Sequence, residues 1–326
     1  MKTLTDLRKP ETMKTILAKS LLTVGLLSAL TGTTLRADTF GNGGNTFSID
    51  FTSIGNAGNA ADATGYGAVG YNYSIGTYDI SVNQLNAATS NGVLGLGNGY
   101  WSGDQPAANL SWYQAAAFVN WLNTSTGHQA AYNLTYSGGA YTMALWSSGQ
   151  SGYNASNPFR NSLALYVLPS ENEWYKAAYY NPTGTNYFLY PTGSNTAPTA
   201  VASGTNANTA VYNQSYPQEP ASVFQAGGLS PYGTMGQGGN VYQLVESAYS
   251  GANTDPSADR TARGTTLAAG NLFLQSSIRY SLPAGNSGTQ FGFRVAELSA
   301  VPEPSTYALF GLGAIALVIA ARRKIS

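Results

Sequence analysis

The 326-residue sequence contains no cysteine and only one histidine, His128. The absence of cysteine excludes disulfide bonds, thiolate metal sites and thiol nucleophiles. A single histidine cannot supply a histidine cluster, and a Ser-His-Asp triad would need His128 as its base although no serine lies in a nucleophile-elbow sequence. We therefore expect His128, which lies in a predicted loop, to be a surface residue.

Charged residues are also scarce, at 9% of the chain, and they are unevenly distributed. Six of the fifteen basic residues precede residue 38 and three close the chain, so residues 38–300 carry six positive and twelve negative charges, a net charge of −6. Nucleic-acid binding needs clustered cations to contact phosphates, so DNA and RNA are excluded as partners. No internal repeat is visible, which argues against solenoids and propellers.

The N-terminal 37 residues have the pattern of a secretory signal peptide. Basic residues precede an apolar run over 21–30, and Ala37 is a small residue at the predicted cleavage position. The apolar run is shorter than the roughly 20 residues that a membrane span needs. We expect residues 1–37 to be a signal peptide, with Met13 as an alternative start; an amphipathic first helix is the other interpretation.

The last 26 residues combine three features in a fixed order. These are the motif Pro302, Glu303, Pro304, an uncharged apolar stretch over 307–321, and a basic end that includes Arg322 and Arg323. At ~1.5 Å per helical residue, the stretch and its flanks reach about 25 Å, just enough to cross a thin bilayer with the basic end on the cytoplasmic side. An ordinary tail anchor is the alternative, but it would not need the Pro-Glu-Pro motif.

This end of the chain resembles the PEP-CTERM sorting signal of Gram-negative bacteria, which is read by an exosortase, a membrane transpeptidase-like enzyme. The resemblance implies export across the inner membrane to the cell envelope or the extracellular space. It also implies a transient membrane anchor, formed by the C-terminal helix before processing. The sequence thus predicts a signal peptide over 1–37, one domain over 38–300 and a sorting signal with a short transmembrane helix over 301–326.

The middle of the chain predicts two helices. The first covers 112–122, where apolar residues recur at the i, i+3, i+4 and i+7 spacing of an amphipathic helix, with Ser111 as its N-cap. The second runs from Ser170 to about Tyr180, because Ser170 and Glu173 form a Ser-x-x-Glu capping box and a proline follows its end.

Short runs rich in tyrosine and β-branched residues predict strands at 71–80, 187–190, 241–245 and 291–296. Two helices among scattered strands, without alternating strand–helix units, indicate an α+β fold. Long loops connect such short elements, and these loops are where function is expected.

Seven motifs occur in the order found in one family: Ile75–Ser81, Ser111–Ala116, Leu168–Trp174, Gly238–Tyr242, Arg263-Gly264, Arg279 and Gly292–Arg294. Together they resemble the formylglycine-generating enzyme, or sulfatase-modifying factor, family. The resemblance implies a C-type-lectin-like α+β fold with short antiparallel strands and long loops. It assigns family structural positions to Trp112, Glu173, Trp174, Gly239, Asn240, Arg279, Gly292, Phe293 and Arg294.

The family's authentic enzymes oxidise a substrate cysteine with copper held by two cysteines that follow the Arg-Gly motif. In this chain the segment from Arg263 to Arg279 has no cysteine, and thiolates are the soft ligands that select Cu(I). Copper chemistry of the family's kind is therefore excluded, and we assign no catalytic residue.

The family also commonly holds a structural calcium ion around the Gly-Asn-Val turn. At the positions of its Asx and Glu ligands this chain has Gly236 and Gln243. Calcium prefers charged oxygen ligands, so the resemblance implies only a weakened remnant of the calcium site at Gly239, Val241 and Gln243.

The remaining charged and aromatic candidates favour structural roles. Glu171 suits the helix dipole and Glu173 closes the capping box, which we favour over paired-carboxylate glycosidase chemistry. We expect Arg279 or Arg294 to be buried and paired with an acid, with Glu173 the best candidate. The tryptophans on or beside the predicted helices, Trp112, Trp121 and Trp174, are expected in the core rather than on a ligand platform.

Three functions stay open. The first is a non-catalytic exported protein that binds a polysaccharide or a matrix protein, a ligand class implied only by the resemblance of its sorting signal. The second is an enzyme of the same family with divergent chemistry, against which the missing cysteines and the single histidine weigh. The third is a purely structural component of the envelope.

Overall fold

The computed structural model describes residues 36–298 of the chain. Three helices begin in the same way, with a serine that caps the helix and a glutamine or glutamate three residues later that closes a capping box. Ser81, Ser111 and Ser170 are the capping serines, and the helices are α1 (Val82–Ser90), α2 (Trp112–Ser125) and α3 (Glu171–Tyr179).

The two predicted helices are confirmed. Helix α2 begins where the capping serine predicts and continues to Ser125, three residues beyond the predicted end. Helix α3 matches the prediction closely, and Ser170 and Glu173 form the expected capping box. The sequence analysis missed α1, which is short, rich in asparagine and buries only Val82, Leu85 and Ala88.

The larger sheet has five strands in the order β1-β2-β3-β13-β6, and every neighbouring pair is antiparallel. Its strands are β1 (Arg36–Phe40), β2 (Phe47–Ile54), β3 (Tyr73–Gly76), β6 (Tyr166–Val167) and β13 (Ala296–Leu298). The last strand of the domain thus lies between β3 and β6. The predicted boundary at Ala37 falls inside β1, where Ala37 pairs with Asp50 of β2.

The second sheet has four strands in the order β11-β10-β9-β12, namely β9 (Tyr242–Ala248), β10 (Arg260–Arg263), β11 (Tyr280–Leu282) and β12 (Phe291–Phe293). Strands β9 and β12 are parallel, which departs from the antiparallel pattern expected. Two further pairs are small: β4 (Asn133–Ser137) with β5 (Ala140–Ala144), and β7 (Thr199–Ala200) with β8 (Thr209–Ala210).

The predicted strands are present in part. The run over 71–80 contains β3, and the run over 241–245 falls almost wholly within β9. The run over 291–296 is divided between β12 and β13, because the two strands belong to different sheets. The prediction at 187–190 is wrong, since Tyr187 and Tyr190 form only isolated bridges.

The main core lies between the sheets and helices α1 and α2, and a smaller aromatic cluster surrounds α3. Trp112 and Trp174 are fully buried, and Trp121 packs partly buried against the main core. The indole N–H of Trp112 donates to the backbone oxygen of Val245, 2.9 Å away, which ties α2 to β9. Within residues 36–298 no helix is long and apolar enough to cross a membrane. The expected helix over 307–321 lies outside the described residues.

Candidate functional site

The N-terminal turn of α3 carries two carboxylates: Glu171 is held by two arginines from distant parts of the chain, and Glu173 is held by one arginine 13 residues before it. Glu171 accepts hydrogen bonds from Nε of Arg279 at 2.6 Å and from Nη2 of Arg279 at 2.8 Å, a bidentate pair. Nε of Arg263, at the end of β10, donates to the same carboxylate at 2.7 Å. One carboxylate and two guanidinium groups therefore form a cluster with a net charge of +1.

The second carboxylate, Glu173, lies in a fully buried cluster with Arg160 and Glu246. The two Nη atoms of Arg160 lie 3.1 Å from the two oxygens of Glu173, and its Nε bonds to Glu246. Burial by itself would raise the pKa of Glu173, but the charge of Arg160 and the hydrogen bonds from Arg160, Tyr71 and the Ser170 backbone outweigh it and hold the pKa below its ordinary value. Glu173 is therefore ionised at neutral pH and is a poor proton donor.

The third arginine cluster centres on Arg294, which is fully buried. Its Nη2 lies 3.2 Å from Oδ1 of Asp79, and its Nε donates to Oε1 of Gln243 at 2.7 Å. The expected pairing with Glu173 is therefore wrong for both arginines. Arg294 pairs with Asp79 and Arg279 pairs with Glu171, because Glu173 already holds Arg160.

The residues of the calcium remnant do not fit a calcium ion. Oε1 of Gln243 accepts from Arg294 at 2.7 Å and from the indole N–H of Trp174 at 2.6 Å, and its amide nitrogen donates to the backbone oxygen of Gly236 at 2.6 Å. The amide oxygen and the amide nitrogen of Gln243 are thus both hydrogen-bonded within the protein. The positively charged guanidinium of Arg294 also lies beside this oxygen, where a calcium ion would need to bind. Calcium requires six to eight oxygen ligands, which this arrangement does not offer.

Gly239 and Asn240 of the same turn have a structural role, and so does Val241, which is fully buried. Gly239 has φ of +83°, and a Cβ there would come within 2.1 Å of the Val211 oxygen. The side chain of Asn240 accepts from the backbone N–H of Ala221 at 2.8 Å and donates to its oxygen at 3.1 Å. The turn therefore fixes a neighbouring loop.

Two more family positions, Gly292 and Phe293, belong to β12. A Cβ at Gly292 would lie 3.0 Å from the backbone oxygen of Ala107, so this strand passes close to the loop before α2. Phe293 is fully buried and packs edge-on against Phe118 of α2. Both positions serve packing.

The segment after β10 does not fit copper either. Thr265, which follows the Arg-Gly motif, is fully buried, and its hydroxyl has no hydrogen-bond partner among residues 36–298. A lone hydroxyl is not a ligand that selects Cu(I), which prefers thiolates and thioethers. His128 is exposed in the turn after α2, as expected, and the described residues contain no group of three acidic or histidine side chains placed to hold a metal ion.

The arginine cluster of Glu171 opens onto a surface cavity of about 500 Å³, which we call the tyrosine cleft. Its walls are Tyr66, Glu171, Asn172, Ser247, Ala248, Tyr249, Ser250, Gly251, Asn253 and Arg279. The rings of Tyr66 and Tyr249 pack on the guanidinium of Arg279 at 4.9 and 4.5 Å, so they are rigidly held. The cleft thus combines two half-buried aromatic rings with neutral hydrogen-bonding side chains around a fixed arginine.

Sequence reasoning singled out Glu171 and Arg279 for structural roles and did not predict this cleft. Tyr66 and Tyr249 lie in loops 183 residues apart that meet only in the fold, and the chain offers 23 tyrosines without a distinguishing pattern. Asp79, Arg160 and Glu246 were also missed. Charged residues are scarce in this chain, and a charged residue among apolar residues is commonly buried and paired. This pattern could have identified these three residues as members of buried ion pairs.

Comparison with known proteins agrees with the motif order. The family model described as sulfatase-modifying factor enzyme 1-like domain matches residues 43–298. A second model, the PEP-CTERM protein-sorting motif, matches residues 300–324, which include the expected Pro302, Glu303, Pro304, Arg322 and Arg323 outside the described residues. This second match indicates export to the cell envelope and recognition by an exosortase-type sorting enzyme. No curated protein sequence matches the chain.

Several solved structures share the fold. Treponema denticola variable protein 1 has a TM-score of 0.56 at 19% identity, over 82% of this chain and 100% of that one. CarF has a TM-score of 0.50 at 18% identity, over 77% of this chain and 98% of that one. PvdO from Pseudomonas aeruginosa has a TM-score of 0.50 at 16% identity, over 80% of this chain and 98% of that one. The similarity establishes the fold, and the α+β class predicted from the sequence is confirmed.

Proposed function

Because the chain belongs to the sulfatase-modifying factor enzyme 1-like family and carries a PEP-CTERM sorting motif, we propose that it is a non-catalytic exported protein that uses this scaffold to bind a component of the envelope or extracellular matrix. The observation that carries the proposal is the tyrosine cleft. It is a preformed polar cavity whose only carboxylate, Glu171, is already held by two arginines.

Catalysis at this cleft lacks its usual components. A general base must reach the proton that it abstracts, but the oxygens of Glu171 already accept hydrogen bonds from Arg263 and Arg279. The cleft contains two serines, Ser247 and Ser250, but the single histidine of the chain does not line it, so neither serine has a histidine base beside it. A cleft that binds without reacting is the function that these contacts support best.

The composition of the wall favours a ligand rich in hydroxyl groups. Tyrosine rings offer apolar faces with a polar tip, and asparagine and serine side chains offer adaptable hydrogen bonds. A polysaccharide or a glycosylated matrix component presents the complementary surface. Calcium is not required in this proposal, because the amide of Gln243 is already used by Trp174, Arg294 and Gly236.

The test is a pair of assays on the full-length chain in detergent. Its binding to extracellular polysaccharide and matrix fractions of the producing cells is measured with calcium and with a chelator, and oxidation of a cysteine-containing peptide is followed by mass spectrometry with and without copper. We expect saturable binding that the chelator does not change, and no oxidation. Turnover of the peptide, or the absence of binding to every fraction, would contradict the proposal.

A further inference from the structure

The hydrogen-bonding groups of the tyrosine cleft are unevenly used. Its side-chain acceptors are occupied: Oδ1 of Asn172 accepts from the backbone N–H of Gly67 at 3.0 Å, and Oδ1 of Asn253 accepts from Nη1 of Arg260 at 2.7 Å. Both oxygens of Glu171 accept from Arg279. Apart from hydroxyl groups, which can donate as well as accept, the side chains of the cleft therefore offer a ligand few free acceptors.

The donors of the cleft are free by contrast. Within residues 36–298 no hydrogen bond is made by Nη1 of Arg279, by the amide nitrogens of Asn172 and Asn253, or by the hydroxyls of Tyr66 and Tyr249. Arg279 is held in place by Glu171 and by the Tyr249 backbone oxygen, so its remaining donors are preorganised. Unused donors on a fixed frame favour a ligand that brings acceptors.

The charge of the cleft points the same way. Glu171 is shared by Arg263 and Arg279, which leaves one positive charge in excess, and no other acid lines the cleft. Burial lowers the pKa of Arg279 and the interaction with Glu171 raises it, with a net rise above its ordinary value, so the charge persists at every physiological pH. This local excess contrasts with the net charge of −6 over residues 38–300.

We infer that the tyrosine cleft binds an acidic sugar, a uronic acid unit of an extracellular polysaccharide, with the carboxylate on Nη1 of Arg279 and the sugar hydroxyls on the tyrosine and asparagine donors. The inference rests on the proposed function and names its ligand class. A carboxylate on a guanidinium forms a charge-assisted hydrogen bond, about twice as strong as a neutral one. The neutral donors around it match the ring hydroxyls, which an acidic peptide lacks.

The test is isothermal titration calorimetry of the full-length chain in detergent with tetragalacturonate as the probe. Its methyl ester is the matched control, because it keeps every hydroxyl and removes every charge. We expect the ester to bind at least about tenfold more weakly, and binding of the acid to weaken as salt is raised. Equal affinity for the acid and the ester would overturn the inference, and so would equal binding of an oligoglutamate peptide.

Variants locate the binding in the cleft. Arg279→Gln removes the free donors and the charge, and we expect a loss of about tenfold or more. Because this variant also disturbs the Glu171 cluster, Tyr66→Phe and Tyr249→Phe serve as second variants: each deletes one hydroxyl, keeps the ring on Arg279 and is expected to weaken binding roughly three- to tenfold. Tyr216→Phe is the control, since Tyr216 is 98% exposed and lies outside the cleft. Unchanged affinity in both tyrosine variants of the cleft would overturn the inference.

The outcomes separate this inference from the function on which it rests. If the chain binds the matrix fraction saturably but not tetragalacturonate, the ligand class is wrong and the binding function stands. If it binds neither, both are contradicted. Binding of tetragalacturonate that Tyr66→Phe and Tyr249→Phe weaken supports both.

Discussion

At the scale of single residues, the scarce cations of the domain point inward. Arg160, Arg263 and Arg294 each pair with a buried acid, and Arg260 is fully buried with its guanidinium 4.1 Å from the ring centre of Phe159. These charges hold loops and sheets together across the chain. Arg279 also pairs with a buried acid, Glu171, but 19% of its side chain is exposed and it lines the tyrosine cleft.

Removal of Arg294 should be among the most damaging single changes. Arg294→Ala leaves Asp79 and Gln243 without their buried partner, together with the backbone oxygens of Gly76 and Met235. Breaking a buried ion pair typically costs ~3–5 kcal/mol, and we expect this loss above about pH 7, where the Asp79 carboxyl is ionised. Urea unfolding followed by tyrosine and tryptophan fluorescence measures the loss of unfolding free energy.

A double-mutant cycle checks the cause of this loss. Asp79→Asn in the Arg294→Ala background removes the stranded carboxylate, so the double variant should be less destabilised than the sum of the two single variants. Strict additivity of the two losses would show that Asp79 and Arg294 do not interact.

The pH dependence of the free energy of unfolding gives a second test of the buried Asp79 carboxyl. Burial raises the pKa of Asp79 to about 7, against the opposing effect of Arg294. Between about pH 4 and pH 7 the folded protein then holds a proton that the unfolded chain has released, so the free energy of unfolding falls as pH rises through this window. The change is on the order of 1 kcal/mol per pH unit.

Unfolding titrations at pH 5 and pH 7 compare the wild type with Asp79→Asn. The variant should lose this part of the slope, because asparagine does not titrate. The same slope in both proteins would assign the dependence to other groups, such as Glu297, whose pKa burial also raises.

At the scale of elements, the three capping boxes start the helices that position the site. Ser170→Ala removes the side-chain acceptor for the backbone N–H of Glu173 at the start of α3. A lost N-cap typically costs about 1 kcal/mol, and Ser170→Thr should retain most of the stability. Chemical denaturation of the three proteins gives the comparison, and equal midpoints for Ser170→Ala and the wild type would contradict this role of the cap.

Elements with a local signal could be predicted from the sequence, and those without one could not. Helices α2 and α3 could be predicted because each begins after a capping serine and has an apolar periodicity. Both signals lie within about a dozen residues of sequence. Helix α1 has its own capping box, Ser81 with Gln84, but only three buried residues, so the weaker signal was overlooked. The division of the run over 291–296 depends on two different sheets, which no local pattern encodes.

The partners of the arginines follow the same rule. The burial of Arg294 was predictable from its apolar neighbours, whereas its partner Asp79 lies 215 positions away in the chain. Glu173 was wrongly favoured because the sequence does not reveal that Arg160 already holds it. Pairings of this kind are set by the assembled fold and require the structure.

At the scale of the whole molecule, the domain and the sorting signal occupy separate parts of the chain, and we expect them to have separate functions. Replacement of Pro302, Glu303 and Pro304 by alanine should leave the protein unprocessed and in the membrane fraction, because the motif read by the sorting enzyme is gone. Ser305→Ala is the matched control beside the motif. Immunoblots of cell fractions measure the size and location of the protein, and normal release of the triple variant would contradict the sorting role.

The most direct measurement for the central claim is a binding isotherm of the full-length chain on the extracellular polysaccharide of the producing cells, with the Tyr66→Ala, Tyr249→Ala double variant beside the wild type. Both tyrosines line the cleft, and Tyr66 also packs against the aromatic cluster around α3, so thermal unfolding of the double variant establishes that it is folded before its binding is compared. A non-catalytic protein that binds through the tyrosine cleft should give a saturable wild-type isotherm that the double variant loses. No wild-type binding, or equal binding by the folded double variant, would contradict that claim.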